Sequence, residues 1–553
     1  MRRFQTLAAF SIAATLSLSA SADVITDWNG TAVEAARSFA NPNPATYAIV
    51  LAHLAAYDAV NAIHPTGAPY LSDATALSAT SDTSVDAAAA QAFYDVLVAK
   101  IPAQKSALDA ALATSLQAIP DGDPRTKGIA LGHKAAAAIL EARKNDVINP
   151  DPAPAPFVGE DALGKWRPTP REVLTNAPLA GNTPWWKNLV PLAIAAADVY
   201  DPGAPPALSS ARYALDYLEV KQYGQKTGSL RTADQTAIAR FWAQQTHVPF
   251  NAIARSLSLR RKLTIDQNAR LFALLNLAIA DSRIAIWHAK YEYQAWRPIT
   301  AINYQGDDGN ADTVAAPPPA SGTDPVWLPL LETPNHPEYP SGHSGTGAAA
   351  AGVLEYWFGD DSSYTVGSDS YAGYTRSFTS FTQAAQENAD SRIYGGIHFR
   401  YANEAGIALG YKIADHVTHT YLKASEIPGG EGGAGGQGAG GENAGGEPST
   451  AGTGGTGTAG TASAGTGGTG TAGTATAGTG GKATEPSEGG APDEGGAPSG
   501  SGGTSSKAGS AGTTDDDGDS GCSVSAPTTS NHGWLVLLLG AAGAVWQRRR
   551  SRR

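Results

Sequence analysis

The amino-acid sequence predicts an all-α body. Apolar residues recur at intervals of three and four through most of residues 23–425, the composition is rich in alanine, and alternating β-branched runs are scarce. On that periodicity helices are expected over Tyr47–Ile63, Val85–Ile101, Ala103–Ile119, Arg125–Arg143, Leu208–Tyr223, Thr232–Leu257 and Ile265–Lys290. The body is long enough to bury one large core or two adjoining ones. No expected helix is an uninterrupted apolar span of about twenty residues, which predicts a soluble body. Proline-rich stretches at Asn149–Pro156, Pro168–Arg171 and Ala315–Pro325 read as surface loops between helix groups. Lys165-Trp166-Arg167-Pro168 is likewise expected to be a loop without further role.

The two ends have a different character. Residues 1–22 carry Arg2 and Arg3, an apolar run from Leu7 to Leu18, and Ala20-Ser21-Ala22, the pattern of a secretory signal cleaved before Asp23. Residues 426–521 turn abruptly to Gly, Ala, Thr and Ser, a composition that buries too little apolar surface to offset chain entropy, so a disordered tether is expected. Its run Asp515-Asp516-Asp517-Gly518-Asp519 lacks the following glutamate of a calcium loop and reads as a solvated acidic run. Residues 522–553 hold Cys522, an apolar run from Trp534 to Trp546, and Arg548, Arg549, Arg550, Arg552 and Arg553. An apolar run with a basic stop is the form of a sorting or anchor segment. Cys522 is the single cysteine, so no intramolecular disulfide forms, and its setting after a tether suits lipid attachment or cleavage. A secreted protein tethered at the cell surface is the expected localisation.

Three short boxes between Trp287 and Glu404 share one chemical appetite. They are Lys290-Tyr291-Glu292-Tyr293-Gln294-Ala295-Trp296-Arg297-Pro298, then Pro340-Ser341-Gly342-His343, then Ser391-Arg392-Ile393-Tyr394-Gly395-Gly396-Ile397-His398. Together they offer a Lys, two Arg, two His, a Ser hydroxyl and a Gly amide, donors suited to a tetrahedral oxyanion. Glu292 is the one carboxylate in the boxes. Lys290 and Arg297 are seven residues apart, which puts them on one face of a helix expected to stop near Pro298. Ser341-Gly342 follows a proline in a turn where a bare backbone N–H can approach an anion. The formal net charge of −12 excludes simple nucleic-acid binding, whereas a local cationic pocket in an acidic chain suits a small anion.

The pattern Lys-x6-Arg-Pro, Pro-Ser-Gly-His, Ser-Arg-x5-His resembles the shared signature of vanadium-dependent haloperoxidases and type 2 phosphatidic acid phosphatases. The likeness extends over residues 23–425, since Asp27-Trp28-Asn29 and the segment Ala52–Asn61 look like the soluble haloperoxidase branch. The tail resembles the surface-anchoring tails of myxobacterial secreted proteins. The resemblance implies an all-α helical bundle of the haloperoxidase/acid-phosphatase type and vanadate as cofactor. It implies that Lys290, Arg297, Ser341, Gly342 and Arg392 hold the non-bridging oxygens, that His398 is the apical ligand on the metal, and that His343 is the acid/base. In a haloperoxidase the metal acts as a Lewis acid toward hydrogen peroxide, and halide and a small organic acceptor are the other partners. Family members pair as dimers, so a homodimer is expected.

Trp287, one turn before Lys290, is expected in the same cavity, as in relatives with peroxidase activity. His336, seven residues before His343, stands where bromide-oxidising members tend to carry His, and points to bromide or iodide. One departure is Ala402: many members carry an acidic residue four after the apical histidine, and Asn403 and Glu404 beside it are swung away on a helix. Orientation of His398 is therefore expected to fall to a backbone carbonyl or to be looser. Two further readings stand beside the peroxidase. One is a metal-free phosphomonoesterase with His398 as nucleophile and His343 as general acid. The other is a surface anion-binding protein with weak catalysis, for which Ala402 is the motive.

Overall fold

The computed structural model describes residues 22–72, 77–169, 179–317 and 326–424. Residues 1–21 of the expected 1–22 signal, the tether, Cys522 and the sorting segment lie outside the described residues.

Chain order is helical almost throughout: α1 (Val24–Ala36), α2 (Pro42–Ile63), α3 (Val85–Lys100), α4 (Lys105–Gln117), α5 (Asp123–Ala142), α6 (Ala211–Tyr223), α7 (Ala233–Phe241), α8 (His247–Arg261), α9 (Ile265–Tyr293), α10 (Pro298–Ile302) and α11 (Gly342–Phe358). After α11 come strands β1 (Tyr364–Gly367) and β2 (Thr375–Phe378), an antiparallel pair, then α12 (Phe381–Tyr394) and α13 (Arg400–Thr420). Helix starts are chemically specified. Asp23 and Thr26 close a capping box on α1, Thr232 and Gln235 do so on α7, and Thr264 and Gln267 on α9.

The 29-residue helix α9 is the axis of the fold. It is buried nearly all round and packs against α2, α11 and α13, so it cannot show a single amphipathic stripe. Helix α2 has the length and hydropathy to cross a membrane, yet 89% of its most apolar window is buried inside the protein, which marks it as a core helix. Two buried carboxylates tie long connections to this core. Asp281 accepts from the amides of Leu192, Ala193 and Ile194 at 2.7, 2.7 and 2.9 Å, and Asp58 accepts from Tyr70 and Leu71 at 2.7 and 3.2 Å.

The structure corrects the sequence reading at three places that matter for the site. Thr232–Leu257 is two helices, broken over Trp242–Thr246. Pro249 explains the break: a proline fits the first turn of α8 but removes a hydrogen bond and clashes in the interior of a continuous helix. Arg297 does not share a helix with Lys290. Helix α9 ends at Tyr293, Gln294 turns into the left-handed region at φ 53°, and Arg297 caps α10 with extended backbone. The extended link is held by the loop expected to have no role: Trp166 N–H donates to Gln294 O at 2.7 Å and Trp296 N–H to Gly164 O at 2.9 Å. Finally, Gly342 is not in a free turn but opens the 17-residue helix α11, with Ser341 as its N-cap.

Candidate anion site

The C-terminal end of α9, the N-terminus of α11, the end of α12, the start of α13 and the α7–α8 break converge on one cavity of about 220 Å³. Its wall includes Trp287, His336, Gly342, His343, Arg392 and His398, six of the nine residues singled out in the sequence. The other three, Lys290, Arg297 and Ser341, are fully buried and reach the same residues through contacts. A Cβ built on Gly342 would sit 3.7 Å from the Trp287 ring and 3.9 Å from Lys290 Cε. The structure thus brings all nine around one cavity.

Each side chain has a definable state. Lys290 Nζ donates to the carbonyls of Pro337 and Glu338 at 2.9 and 2.8 Å. Arg297 donates from Nε to His336 O (2.9 Å), from Nη1 to Ile397 O (2.7 Å), and meets His336 Nδ1 at 2.9 Å through Nη2. Arg392 Nη1 donates to Trp242 O at 3.0 Å, while its buried Nε has no partner. The broken helix thus has a use: the carbonyls it frees at Trp242 and Gln244 face Arg392 and His343. Ser341 Oγ accepts from Ser344 Oγ at 2.8 Å, so its own proton is free to point elsewhere. Ser391 by contrast donates within its helix to Asn388 O and serves structure.

The histidines are held as neutral bases. Burial first, and then Arg297 and Lys290, push the His398 pKa well below its ordinary value. Arg297 Nη1 lies 3.1 Å from His398 Nε2 and can only donate, so Nε2 carries the lone pair and Nδ1 the proton. Nδ1–H lies 2.9 Å from a carboxylate oxygen of Glu338, which also accepts from Phe399 N–H at 3.0 Å. Burial first, and then Arg392, likewise depress His343. Its Nε2 donates to Gln244 O at 3.0 Å, which leaves Nδ1 for proton exchange.

Glu338 is what the sequence reading missed. The orientation expected from a backbone carbonyl comes instead from this fully buried carboxylate, and the boxes do not exhaust the site's acids. Glu292, the carboxylate weighed earlier, is exposed. The one trace of Glu338 in the sequence is position, an acid between Pro337 and Pro340 three residues before Ser341, which by itself reads as a solvated charge. Burial pushes Glu338 up to about 7 against the opposing pull of Arg297 and Lys290. Ala402 is buried and its carbonyl accepts from Ser341 N–H at 2.9 Å. Asn403 ties Ser344 to Ala389, and Glu404 pairs with Arg212; neither has a contact with His398.

A fourth cation was also missed. Arg283 stands one further turn up α9, 4% exposed, and lines the cavity. Arg283, Lys290, Arg297 and Arg392 are all buried, and none forms a salt bridge with any described residue. Desolvation lowers Arg297 to about 10 and Arg283 and Arg392 to about 9, so the guanidinium groups remain charged at neutral pH. Burial first, and then Arg297, push the Lys290 amine well below its ordinary pKa, so three guanidinium ions and a weakened amine surround one carboxyl group, at several kcal/mol per uncompensated ion. The arrangement is built to receive a multiply charged anion, and the N-terminus of α11 adds its free amides and positive dipole end.

A helical bundle of the haloperoxidase type with a buried cationic cavity between two imidazoles is the class that this fold and site define. Residues 270–426 match the family model described as the VCPO second helical-bundle domain. The vanadium chloroperoxidase of Curvularia inaequalis is 30% identical over 154 residues, a match spanning 23% of this chain and 23% of that relative. A solved bacterial vanadium-dependent iodoperoxidase superposes with a TM-score of 0.62 at 26% identity, covering 73% of this chain and 97% of that one. A holo-type bacterial vanadium-dependent chloroperoxidase shares the fold with a TM-score of 0.52 at 18% identity, over 73% of this chain and 94% of its own. The sequence matches and the fold together support the haloperoxidase-like superfamily.

Proposed function

We propose that the chain is a vanadate-dependent haloperoxidase that oxidises bromide or iodide with hydrogen peroxide, secreted and tethered at the cell surface by its tail. The observation that carries the activity is the set of four buried basic side chains, none in a salt bridge with a described residue, that converge with His343 and His398 around one cavity. Vanadate fits the residues present. Arg392 Nε is buried without a partner, Gly342 leaves room beside Trp287 and Lys290, and His398 Nε2 carries a lone pair that Arg297 Nη1 holds in this structure and would give up to the metal. Lys290, Arg297, Ser341, Gly342 and Arg392 would hold its oxygens, and His398 Nε2 would be the protein nitrogen that binds it. When bound, vanadate supplies a Lewis acid for the activation of peroxide.

The protein's own residues do the rest. Glu338 fixes the His398 ring and its tautomer, as a second ligand shell must. His343, neutral in the cationic cavity, takes a proton at Nδ1 and returns it to a departing oxygen. An anion beside Arg392 removes the repulsion that depresses His343, so binding itself raises the basicity needed for that transfer. Burial keeps bulk water from the donors and strengthens each contact.

A metal-free phosphomonoesterase is the second reading, favoured by the same neutral, oriented His398 nitrogen, which suits attack on phosphorus. The two separate cleanly. The full-length chain is incubated with orthovanadate, peroxide and bromide, and halogenation of a dye is followed. Halogenation that requires vanadate and is blocked by phosphate is expected. Turnover of a phosphomonoester inhibited by vanadate, without halogenation, would instead establish the phosphatase, and neither activity would leave an anion-binding protein.

A further inference from the structure

No residue of the β1–β2 pair lines the cavity, yet the link between its strands is spent on the α7–α8 break. Ser368 Oγ donates to Phe241 O at 2.6 Å and Ser370 Oγ to Arg240 O at 2.7 Å, so hydroxyls of that link hold carbonyls at the C-terminal end of α7. Asp369 N–H donates to the side-chain oxygen of Gln244 at 3.1 Å, and the Asp369 carboxylate pairs with Arg37, just after α1. The side-chain nitrogen of Gln244 turns back to Phe241 O at 3.4 Å. Gln244 is buried and lines the cavity, so its side chain joins the hairpin link to the wall of the site. Its backbone carbonyl accepts from Nε2–H of His343 at 3.0 Å.

A carbonyl inside a helix is aimed by its ladder, whereas one in a break is aimed by its neighbours. Val248 N–H takes Gln245 O at 3.0 Å, which leaves Gln244 O outside the ladder of α8. The break is gripped at two points that serve different donors. Trp242, whose carbonyl binds Arg392, is set by its indole: Nε1 donates to Glu387 at 2.9 Å, and Arg376 of β2 joins Glu387 to Asp234 of α7. Gln244, whose carbonyl binds His343, is set by Asp369 N–H. An imidazole that donates to a fixed acceptor keeps one tautomer and presents its bare nitrogen in one direction. With the acceptor loosened, the proton divides its time between the two ring nitrogens. We propose that Gln244, held by the β1–β2 link, is a positioning residue that keeps the His343 proton on Nε2 and its lone pair on Nδ1. On the functional reading above, this contact governs proton transfer and leaves anion retention to the other grip.

Nitrogen NMR of the isotope-labelled full-length chain tests the ring directly, with the pair of signals lost in His343→Ala assigned to that histidine. The wild-type protein should show one protonated and one bare nitrogen. Gln244→Leu removes both side-chain bonds, and the two signals should move toward each other. In the same variant kcat for vanadate-dependent halogenation should fall about tenfold, while the KM for peroxide and the orthovanadate affinity stay within about twofold. Ser368→Ala, remote from the cavity, should act in the same sense by about threefold, and it carries the test if Gln244→Leu fails to fold. Gln244→Glu keeps an oxygen for Asp369 N–H and should hold the two signals apart. Signals that stay apart in the folded Gln244→Leu and Ser368→Ala proteins, or a fall in kcat matched by an equal fall in orthovanadate affinity, overturn the positioning role. Converging signals in a protein with no halogenating activity would retain that role and remove the functional reading. Halogenation with unmoved signals would do the reverse.

Discussion

At the residue scale the site depends on how one imidazole is held. His398 has its lone pair on Nε2 because Arg297 donates there, and its proton on Nδ1 because Glu338 accepts there. Glu338→Gln keeps the volume but replaces the acceptor charge, and loss of such a second partner weakens metal retention by roughly 10–100-fold. Orthovanadate titration of the folded variant checks this; affinity within about twofold of wild type would show that the carboxylate is only structural. His343→Ala should separate binding from turnover, retaining orthovanadate while kcat falls by about 10²–10⁴-fold, the range for loss of a general acid or base. Much of this was legible in the sequence. Three motifs separated by long intervals named seven residues, the resemblance added Trp287 and His336, and all nine meet around one cavity. Glu338 and Arg283 were not legible, because a lone carboxylate in a loop and a lone arginine on a helix normally read as solvated charges. Only packing shows that both are buried.

At the element scale, close helix approach and buried anchors hold the donors in register. Helices α11 and α13 touch through glycine: a Cβ on Gly406 would lie 2.6 Å from Ser341 O, and one on Gly410 would lie 2.2 Å from Gly345 O. Gly406→Ala should therefore push α13 off the start of α11, costing about 1–3 kcal/mol in denaturant unfolding and weakening orthovanadate binding together. Loss of stability with unchanged binding would show that the strain is absorbed away from Ser341. Asp281 anchors the 192–194 connection to α9, and burial raises its pKa to about 6. A carboxyl whose folded pKa exceeds its unfolded one stabilises below the unfolded value and loses that contribution as pH rises through the folded value. Stability should thus decline from pH 4 to 7 by this group's share, and Asp281→Asn should flatten that part of the profile; an identical slope in the variant would contradict it. The helices themselves were readable from periodicity. Their boundaries at the site were not, because the α7–α8 break and the extended link before Arg297 answer to tertiary partners: Pro249 and the Gly164–Trp166 loop.

At the scale of the whole molecule, an acidic chain encloses a cationic cavity. The net charge is −12, yet four basic side chains lie buried around one carboxyl group. Such a fold should be stabilised by the anion it is shaped for. A ligand that binds only the native state adds about 2.7 kcal/mol at a hundred times its Kd, so orthovanadate or phosphate should raise the thermal midpoint of the full-length chain while chloride at equal ionic strength does not. The most direct measurement is orthovanadate binding to the full-length chain and to His398→Ala under identical conditions. Saturable binding at one site per chain, competed by phosphate and lost in His398→Ala, is the expected result. Equally tight binding by the folded His398→Ala protein would contradict the role of that imidazole as the binding nitrogen and with it the proposed activity.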